Sequence, residues 1–519
     1  MPYDYRRMPY ETPAPLKRGE AEERIGVAIV GAGPIGLALA VDLAMRGVAS
    51  VVLDDNDVVS VGSRAICWAK RSLEILDRLG VGERIAEKGV TWKVGRTYHG
   101  DEEVWSFDLL PEEGHKMPAF VNLQQYYVEE YLVERCRDFP DLIDLRVLNT
   151  VTGVSRDGSA TVSTPDGTYR LKADWLVACD GARSPIREGL GLEFVGELFE
   201  ERFLIADITM KADFPAERRF WFEPPFHEGQ SALLHKQPDD LWRIDLQLGW
   251  DADPEEEKRP EKVIPRIERI VGDRPFELDW VSVYTFQCRR LARFVHDRVI
   301  FCGDSAHVVS PFGARGGNGG LQDVDALGWK LALIAKGEAP ESLLESYEAE
   351  RIEAADENIR NSSRATRFMT PHPGAERWFR DAVLALAKKA PFARSMVNSG
   401  RLSRPCSYSA SPLSGPDDPT LPAASRPGAP APDAPFGDDW LLNALPDGFT
   451  VLVFGGEAHL PGATTLVAPR EDALRARYLG EAERAFYLIR PDQHVAARWT
   501  HWDKAAAAGA LAKAKGGAP

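Results

Sequence analysis

The sequence predicts an α/β protein: a Rossmann-like dinucleotide-binding domain, an antiparallel sheet inserted into it, and a small domain after a proline-rich stretch. Three observations lead there. A strand, a glycine turn and a helix follow one another across residues 27–46, aromatic-rich strand patterns fill residues 203–286, and a buried strand with a glycine-rich loop returns near residue 300.

Residues 1–24 read as an N-terminal arm, because they hold neither the apolar run nor the small-residue cleavage site of a secretory signal. Val27-Ala28-Ile29-Val30 is a buried-strand pattern, residues 34–46 place Ile35, Leu39 and Leu43 at helical spacing, and Val51-Val52-Leu53 is a second strand. Strand, helix and strand at this distance form a right-handed parallel βαβ unit. Helices are predicted over 68–79 and 125–137. Residues 145–177 alternate apolar and polar with Asp157-Gly158 and Asp166-Gly167 between, which predicts two hairpins.

Strands at 219–222, 231–235 and 241–248 then make the inserted sheet. The chain returns to a strand at 298–302, a glycine-rich loop at 313–320, a helix at 321–335, and long helices over 340–368 and 375–397. Nine prolines fall in residues 405–435, so this stretch reads as an extended linker. The resulting division is an arm (1–24), a first domain in two pieces (25–200 and 291–400, the latter with the long helices), an inserted substrate domain (201–290), a linker (401–425), a C-terminal domain (426–505) and a tail (506–519).

Charge and cysteine usage exclude several function classes. With 63 basic and 79 acidic residues the net charge is -16, which repels a nucleic-acid backbone. The six cysteines are scattered with no C-x-x-C pair, so neither a zinc site nor a dithiol centre is expected, and reduced thiols fit a cytoplasmic location. The apolar stretch 26–41 falls short of the roughly 20 residues that cross a bilayer.

The first motif is Gly31-Ala32-Gly33-Pro34-Ile35-Gly36. Gly31 permits the tight turn, Gly33 lets amides approach a pyrophosphate, Gly36 lets helix and strand pack closely, and the helix from Pro34 and Ile35 supplies a positive dipole. Asp54 ends the next strand, where an acid accepts hydrogen bonds from a ribose; Asp55, Asn56 and Asp57 leave open which acid does so. The pattern alone does not separate NAD from FAD.

Two further segments do so through resemblance. Cys179-Asp180-Gly181-Ala182-Arg183-Ser184 and Gly303-Asp304-Ser305-Ala306-His307 resemble the paired D-G and G-D motifs of the group A flavoprotein monooxygenases. Residues 310–323, from Ser310-Pro311-Phe312-Gly313 through Gly316-Gly317-Asn318-Gly319-Gly320 to Asp323, resemble that family's flavin loop and the start of its long helix. Tyr487-Leu488-Ile489-Arg490-Pro491-Asp492 and the residues on to Trp499 resemble the closing strands of the thioredoxin-like domain in the phenol and hydroxyphenylpropionate hydroxylase branch. The resemblance spans residues 25–502.

It implies noncovalently bound FAD, with Asp304 and Gln125 on the ribityl side, Arg64 near the diphosphate, and Asp180, Gly181, Gly303, Pro311, Gly316, Gly317, Asn318 and Gly319 completing the cofactor site. His307 is expected to hold the loop rather than react. It also implies NAD(P)H as a transient co-substrate, since no second G-x-G-x-x-G follows a strand. The implied reaction is hydroxylation of a phenolic ring with O2 through a flavin C4a-hydroperoxide. Epoxidation and Baeyer-Villiger oxidation on the same fold, and a flavin-free carrier, remain alternatives. The halogenase signature W-x-W-x-I-P is missing, since Trp499-Thr500-His501-Trp502 has the wrong spacing. His227, His235 and Tyr284 are the candidates for catalysis, as groups able to act on the phenol; Trp221, Phe222 and Phe286 are candidate pocket walls. A second copy of the chain is the candidate protein partner.

Overall fold

The computed structural model describes residues 3–517 except 21, 63, 111, 250–251, 312 and 398–403, and only the backbone of 199–201 and 286. Ser63, Phe312, the Phe286 side chain and linker residues 401–403 thus lie outside the described residues.

Strand Glu22–Val30 pairs in parallel with Ser50–Leu53 on one side and Gly167–Ala178 on the other. The sheet runs in the order Val295–His296, Val299–Phe301, Gly167–Ala178, Glu22–Val30, Ser50–Leu53, Ile143–Arg146. Strands Thr150–Val154 and Ser159–Thr164 extend it through the two expected hairpins. Helix Pro34–Met45 is buried almost throughout because it is packed between this sheet and helix Gly316–Ala335. Small residues allow that approach: a Cβ on Gly320 would stand 2.7 Å from Ile35 Cδ1.

The arm belongs to the fold more closely than the sequence suggested. Its sheet strand already begins at Glu22, and helix Ala14–Arg18 precedes it. The Tyr5 hydroxyl accepts the Gly62 amide proton at 3.1 Å, and Arg7 pairs with Asp57 at 2.8 Å. The arm therefore straps the loop between Asp54 and Arg64.

The second sheet has the order His307–Val308, Glu277–Leu291, Phe194–Thr209, Leu241–Gln247, Ser231–Lys236, Arg218–Phe222, Val94–His99, Glu102–Asp108. It reaches beyond residues 201–290 because Val94–His99, far upstream, pairs in parallel with Arg218–Phe222. The predicted helix over 68–79 is helix Lys70–Arg78 behind a short strand, Cys67–Ala69. The span 375–397 divides into helices Ala375–Ala387 and Pro391–Val397.

The C-terminal sheet has the order Thr464–Val467, Thr450–Phe454, Ala485–Ile489, Val495–Trp499, the first pair parallel and the other two antiparallel. Between Thr464–Val467 and Ala485–Ile489 the chain makes one helical turn, Asp472–Leu474, followed by a wide turn through Arg475–Leu479. The expected tail instead forms helix Lys504–Ala514, capped by Asp503, as an alanine-rich segment favours. The proline-rich stretch is no free spacer: Tyr408 is 1% exposed and accepts a 2.5 Å hydrogen bond from Arg351, and Ser411 donates to Glu350 at 2.5 Å.

Buried charge joins the C-terminal sheet to the first domain. Glu350 takes Lys330 at 2.7 Å and Arg490 at 2.5 Å, while Arg71 donates to the Asp492 carbonyl at 2.8 Å and to Asp325 at 2.8 Å. Burial works to raise the Glu350 carboxyl, but Arg490 and Lys330 outweigh it and hold it at about 2, below its ordinary 4.5. In the unfolded chain that carboxyl takes a proton first, so the stability it contributes is present above its ordinary pKa and lost as pH falls toward 2. Thermal midpoints are accordingly expected to drop steeply between about pH 4.5 and pH 2. A midpoint that stays flat across that window would contradict the pairing.

Candidate active site

The βαβ turn opens toward one end of the parallel sheet. Gly31 has φ +104°, in the region favouring glycine, and a Cβ there would press on the Cys179 carbonyl. Gly33 faces open space, where a Cβ would meet only Glu129 Oε1 at 4.0 Å. Asp54 turns back on the turn itself, accepting Ala32 N–H at 2.6 Å and Asn56 N–H at 2.8 Å. Burial raises its carboxyl, against those two amides. Gln125 heads its helix and ties the neighbouring loop together: its Oε1 accepts Ala65 N–H at 3.1 Å and its Nε2 donates to Glu129 at 2.8 Å.

Asp180 and Gly181 end the central strand. Asp180 Oδ2 accepts Ser184 Oγ–H at 2.7 Å and Ile186 N–H at 3.0 Å, while its Oδ1 is buried with no hydrogen-bond partner among the described residues. Gly303 begins a 3-10 turn at φ +68°, held by its amide donating to Asp323 Oδ2 at 2.8 Å. The same carboxylate takes His307 Nε2 at 2.7 Å and Arg351 Nε at 2.5 Å. Burial would raise Asp323, yet His307 and Arg351 hold it at about 2. His307 is thus a structural imidazole. Asp304, on the turn so fixed, is exposed to the space beside Gly316 and has no hydrogen-bond partner among the described residues; its Oδ1 lies 3.9 Å from where a Gly316 Cβ would be. Desolvation by the protein packed around the turn raises its carboxyl, helped by the Asp323 charge, with His307 and Arg64 pulling the other way.

The glycine run does not precede the long helix; it opens it. The helix starts at Gly316, and the first intrahelical bond of that turn runs from Gly319 N–H to Arg315 O at 2.8 Å. Gly316, Gly317 and Asn318 therefore carry the free amides of the helix N-terminus. The Asn318 side chain is spent inside the protein, accepting Ala69 N–H at 2.8 Å and donating to Cys67 O at 2.8 Å and Ala314 O at 2.6 Å. Pro311 is exposed at the loop before it. Arg64 is exposed, and its carbonyl is anchored by Arg243, itself fixed to Asp207 at 2.9 Å.

A cleft of about 830 Å³, its open mouth included, ends on Gly313 and Arg315 beside that helix start. Phe220 and Phe222 of the second sheet form one wall, Met369 and Val397 of the covering helices another. The three catalysis candidates are not part of this lining. His227 Nε2 contacts the Gln247 carbonyl at 2.7 Å in a turn of the second sheet. His235 is 3% exposed, 3.6 Å from Asp245. Burial lowers both imidazoles, keeping them neutral. Tyr284 packs with the cluster of Phe203 and Leu384. Trp221 stacks on Tyr98 and likewise lies outside the lining.

The family model for the FAD binding domain matches residues 24–362, more than half of the chain. The chain belongs to that family. A flavin-dependent monooxygenase of Mycobacteroides abscessus is 34% identical over 350 residues, covering 63% of this chain and 71% of the relative. A para-nitrophenol 4-monooxygenase of a Pseudomonas species is 29% identical, covering 63% and 82%. Among solved structures, the rebeccamycin biosynthetic enzyme RebC with reduced flavin is 25% identical with a TM-score of 0.76, covering 96% of this chain and 100% of that one. The flavin-dependent monooxygenase PieE, at 21% identity and a TM-score of 0.80, shares the fold over 95% and 99%. The protein is an FAD-dependent aromatic monooxygenase of the group A flavoprotein class.

The residues present fit FAD. The open cradle at Gly33, the unpartnered Asp304 carboxylate, the orphaned Asp180 Oδ1 and the free amides from Gly316 to Asn318 are the groups a diphosphate, a ribityl chain and a polar ring edge require. Sequence reasoning missed Glu129, buried one turn after Gln125 and bound by Ser60 N–H at 2.5 Å. Its spacing of four from Gln125 was the available signal.

Proposed function

We propose that the enzyme hydroxylates a phenolic ring held in the cleft that ends on Gly313 and Arg315. The supporting observation is that this cleft joins an aromatic sheet wall to the helix N-terminus beside Asp304. FAD, when bound, takes electrons from NAD(P)H and activates dioxygen. The chain's own residues bind and orient: Asp304 accepts ribityl hydroxyls, Gly31 and Gly33 admit the diphosphate, and Asp180, Gln125 and Arg64 complete that side. The amides of Gly316, Gly317 and Asn318 stabilise negative charge placed before them. Phe220, Phe222 and Met369 keep water from the ring. A phenol of pKa ~10 is about one part in a thousand ionised at pH 7, and half-ionisation costs roughly 4 kcal/mol. Cations lining the cleft supply part of that more directly than the neutral His227 or His235.

The reading includes a thioredoxin-like C-terminal domain, for which the sheet order and pairing speak, doing packing work without cysteines. It includes a cytoplasmic location. It also includes a homodimer, supported by Trp378 at 74% and Phe392 at 66% exposure on adjacent helices. The test is a screen of substituted phenols for stimulated NAD(P)H oxidation coupled to hydroxylated product. Failure of every phenol to raise oxidation above background, or to yield product, would overturn it.

A further inference from the structure

The cleft carries a charge pattern opposite to that of the chain. The protein is acidic, at -16, yet the cleft is lined by Arg96, Arg218, Arg315 and Arg364 and by no carboxylate among the described residues. Arg96 is already compensated, by Glu217 at 2.7 Å and Glu103 at 3.0 Å. The half-buried Arg218 guanidinium has no ion pair or hydrogen bond among the described residues. It lies on the wall strand Arg218–Phe222 and lines the cleft, within the electrostatic reach of the half-buried Cys67 and Asp245; Asp245 sits 3.6 Å from His235 rather than paired with an arginine. Burial lowers the Arg218 guanidinium, and the pull of Cys67 and Asp245 does not offset it. A desolvated cation without a counter-charge is costly, and an anion delivered by a ligand relieves that cost.

We infer that Arg218 is the specificity-determining residue of this cleft and that the phenolic substrate carries a carboxylate, which pairs with Arg218 while Arg364 stands at the mouth. This rests on the phenolic reading above. Guanidinium and carboxylate match in a two-pronged geometry that a neutral ring substituent does not offer. The aromatic wall of Phe220 and Phe222 on the same strand places the ring next to the anion site, and the other end of the cleft stops at Gly313.

The probes are matched pairs in which only the charge differs: hydroxybenzoate and hydroxybenzamide, hydroxycinnamate and hydroxycinnamamide, hydroxynaphthoate and its amide. Binding is read from the perturbed flavin spectrum of the oxidised holoenzyme, which needs no turnover. At least one acid should bind about tenfold to a hundredfold tighter than its amide, the size of a charge-assisted pair. Arg218→Met should erase that preference while leaving amide binding in place, and Arg218→Lys should restore part of it. Equal binding of acids and amides by the unaltered enzyme, no binding by any acid, or a preference that survives Arg218→Met would overturn the inference. If neutral phenols stimulate NAD(P)H oxidation and acids do not, this inference fails alone; if no phenol of either kind does, the hydroxylase reading fails with it.

Discussion

Asp304→Ala is expected to weaken FAD binding about tenfold to a hundredfold, the equivalent of losing a charge-assisted hydrogen bond of roughly 1.5 to 3 kcal/mol. The carboxylate is fixed in place without being used: Gly303 and His307 are tied to Asp323, and the side chain between them meets no hydrogen-bonding group of the described protein. Its loss therefore costs the apoprotein little, and the melting point of flavin-stripped Asp304→Ala should match that of the stripped parent. Asp304→Asn, which keeps the shape and loses the charge, should fall between. Flavin per chain after gel filtration, and a fluorescence titration of the apoprotein with FAD, measure both. An Asp304→Ala protein that retains full flavin would remove Asp304 from the cofactor site.

The parts of the fold that were legible in the sequence are those whose local pattern and tertiary role agree. Gly31, Gly33 and Gly36 sit in a turn that only their spacing allows, and the strand before them is apolar because both of its faces are covered. The start of the long helix was not legible. Glycine is a poor helix former, so a run of it reads as loop; here close packing against Ile35 and Gly303 repays that cost at Gly320, and the helix begins five residues earlier than propensity suggests. Strands Val94–His99 and Glu102–Asp108 were hidden because their partner, Arg218–Phe222, is remote in sequence. The same remoteness hid the chemistry of Arg218. Next to Arg219 and after Glu217 it reads as one more surface charge, and it becomes a half-buried cation of a cleft wall only when the upstream strand and helix Leu343–Met369 line the same cleft. Histidines drew attention by type, yet His227 Nε2 is taken by the Gln247 carbonyl and His235 Nε2 faces Asp245, both within the second sheet.

The largest loss of stability is expected at the seam between the C-terminal sheet and the first domain. Deleting residues 426–519 removes Arg490 from Glu350 and the Asp492 carboxylate from Trp329 Nε1, which it accepts at 3.1 Å, and strips the Asp492 carbonyl from Arg71. It also uncovers the face of the main core to which Val451, Phe486 and Leu511 contribute. Such a truncation is expected to give no soluble folded chain, so FAD would be lost with the fold and not selectively. Arg490→Met isolates the charge term. Glu350 keeps Lys330 and Ser411, but Asp492 and Glu350 lose the guanidinium that neutralised both, and breaking a buried pair costs about 3 kcal/mol. The urea midpoint should fall accordingly, while the flavin content of the folded fraction stays at the parent value, because neither Arg490 nor Asp492 bonds to Asp304 or to the βαβ turn among the described residues. A truncated chain that is soluble, melts cooperatively and holds FAD would show that the first domain closes its core without the C-terminal sheet, and the seam would then be an interface between independent domains.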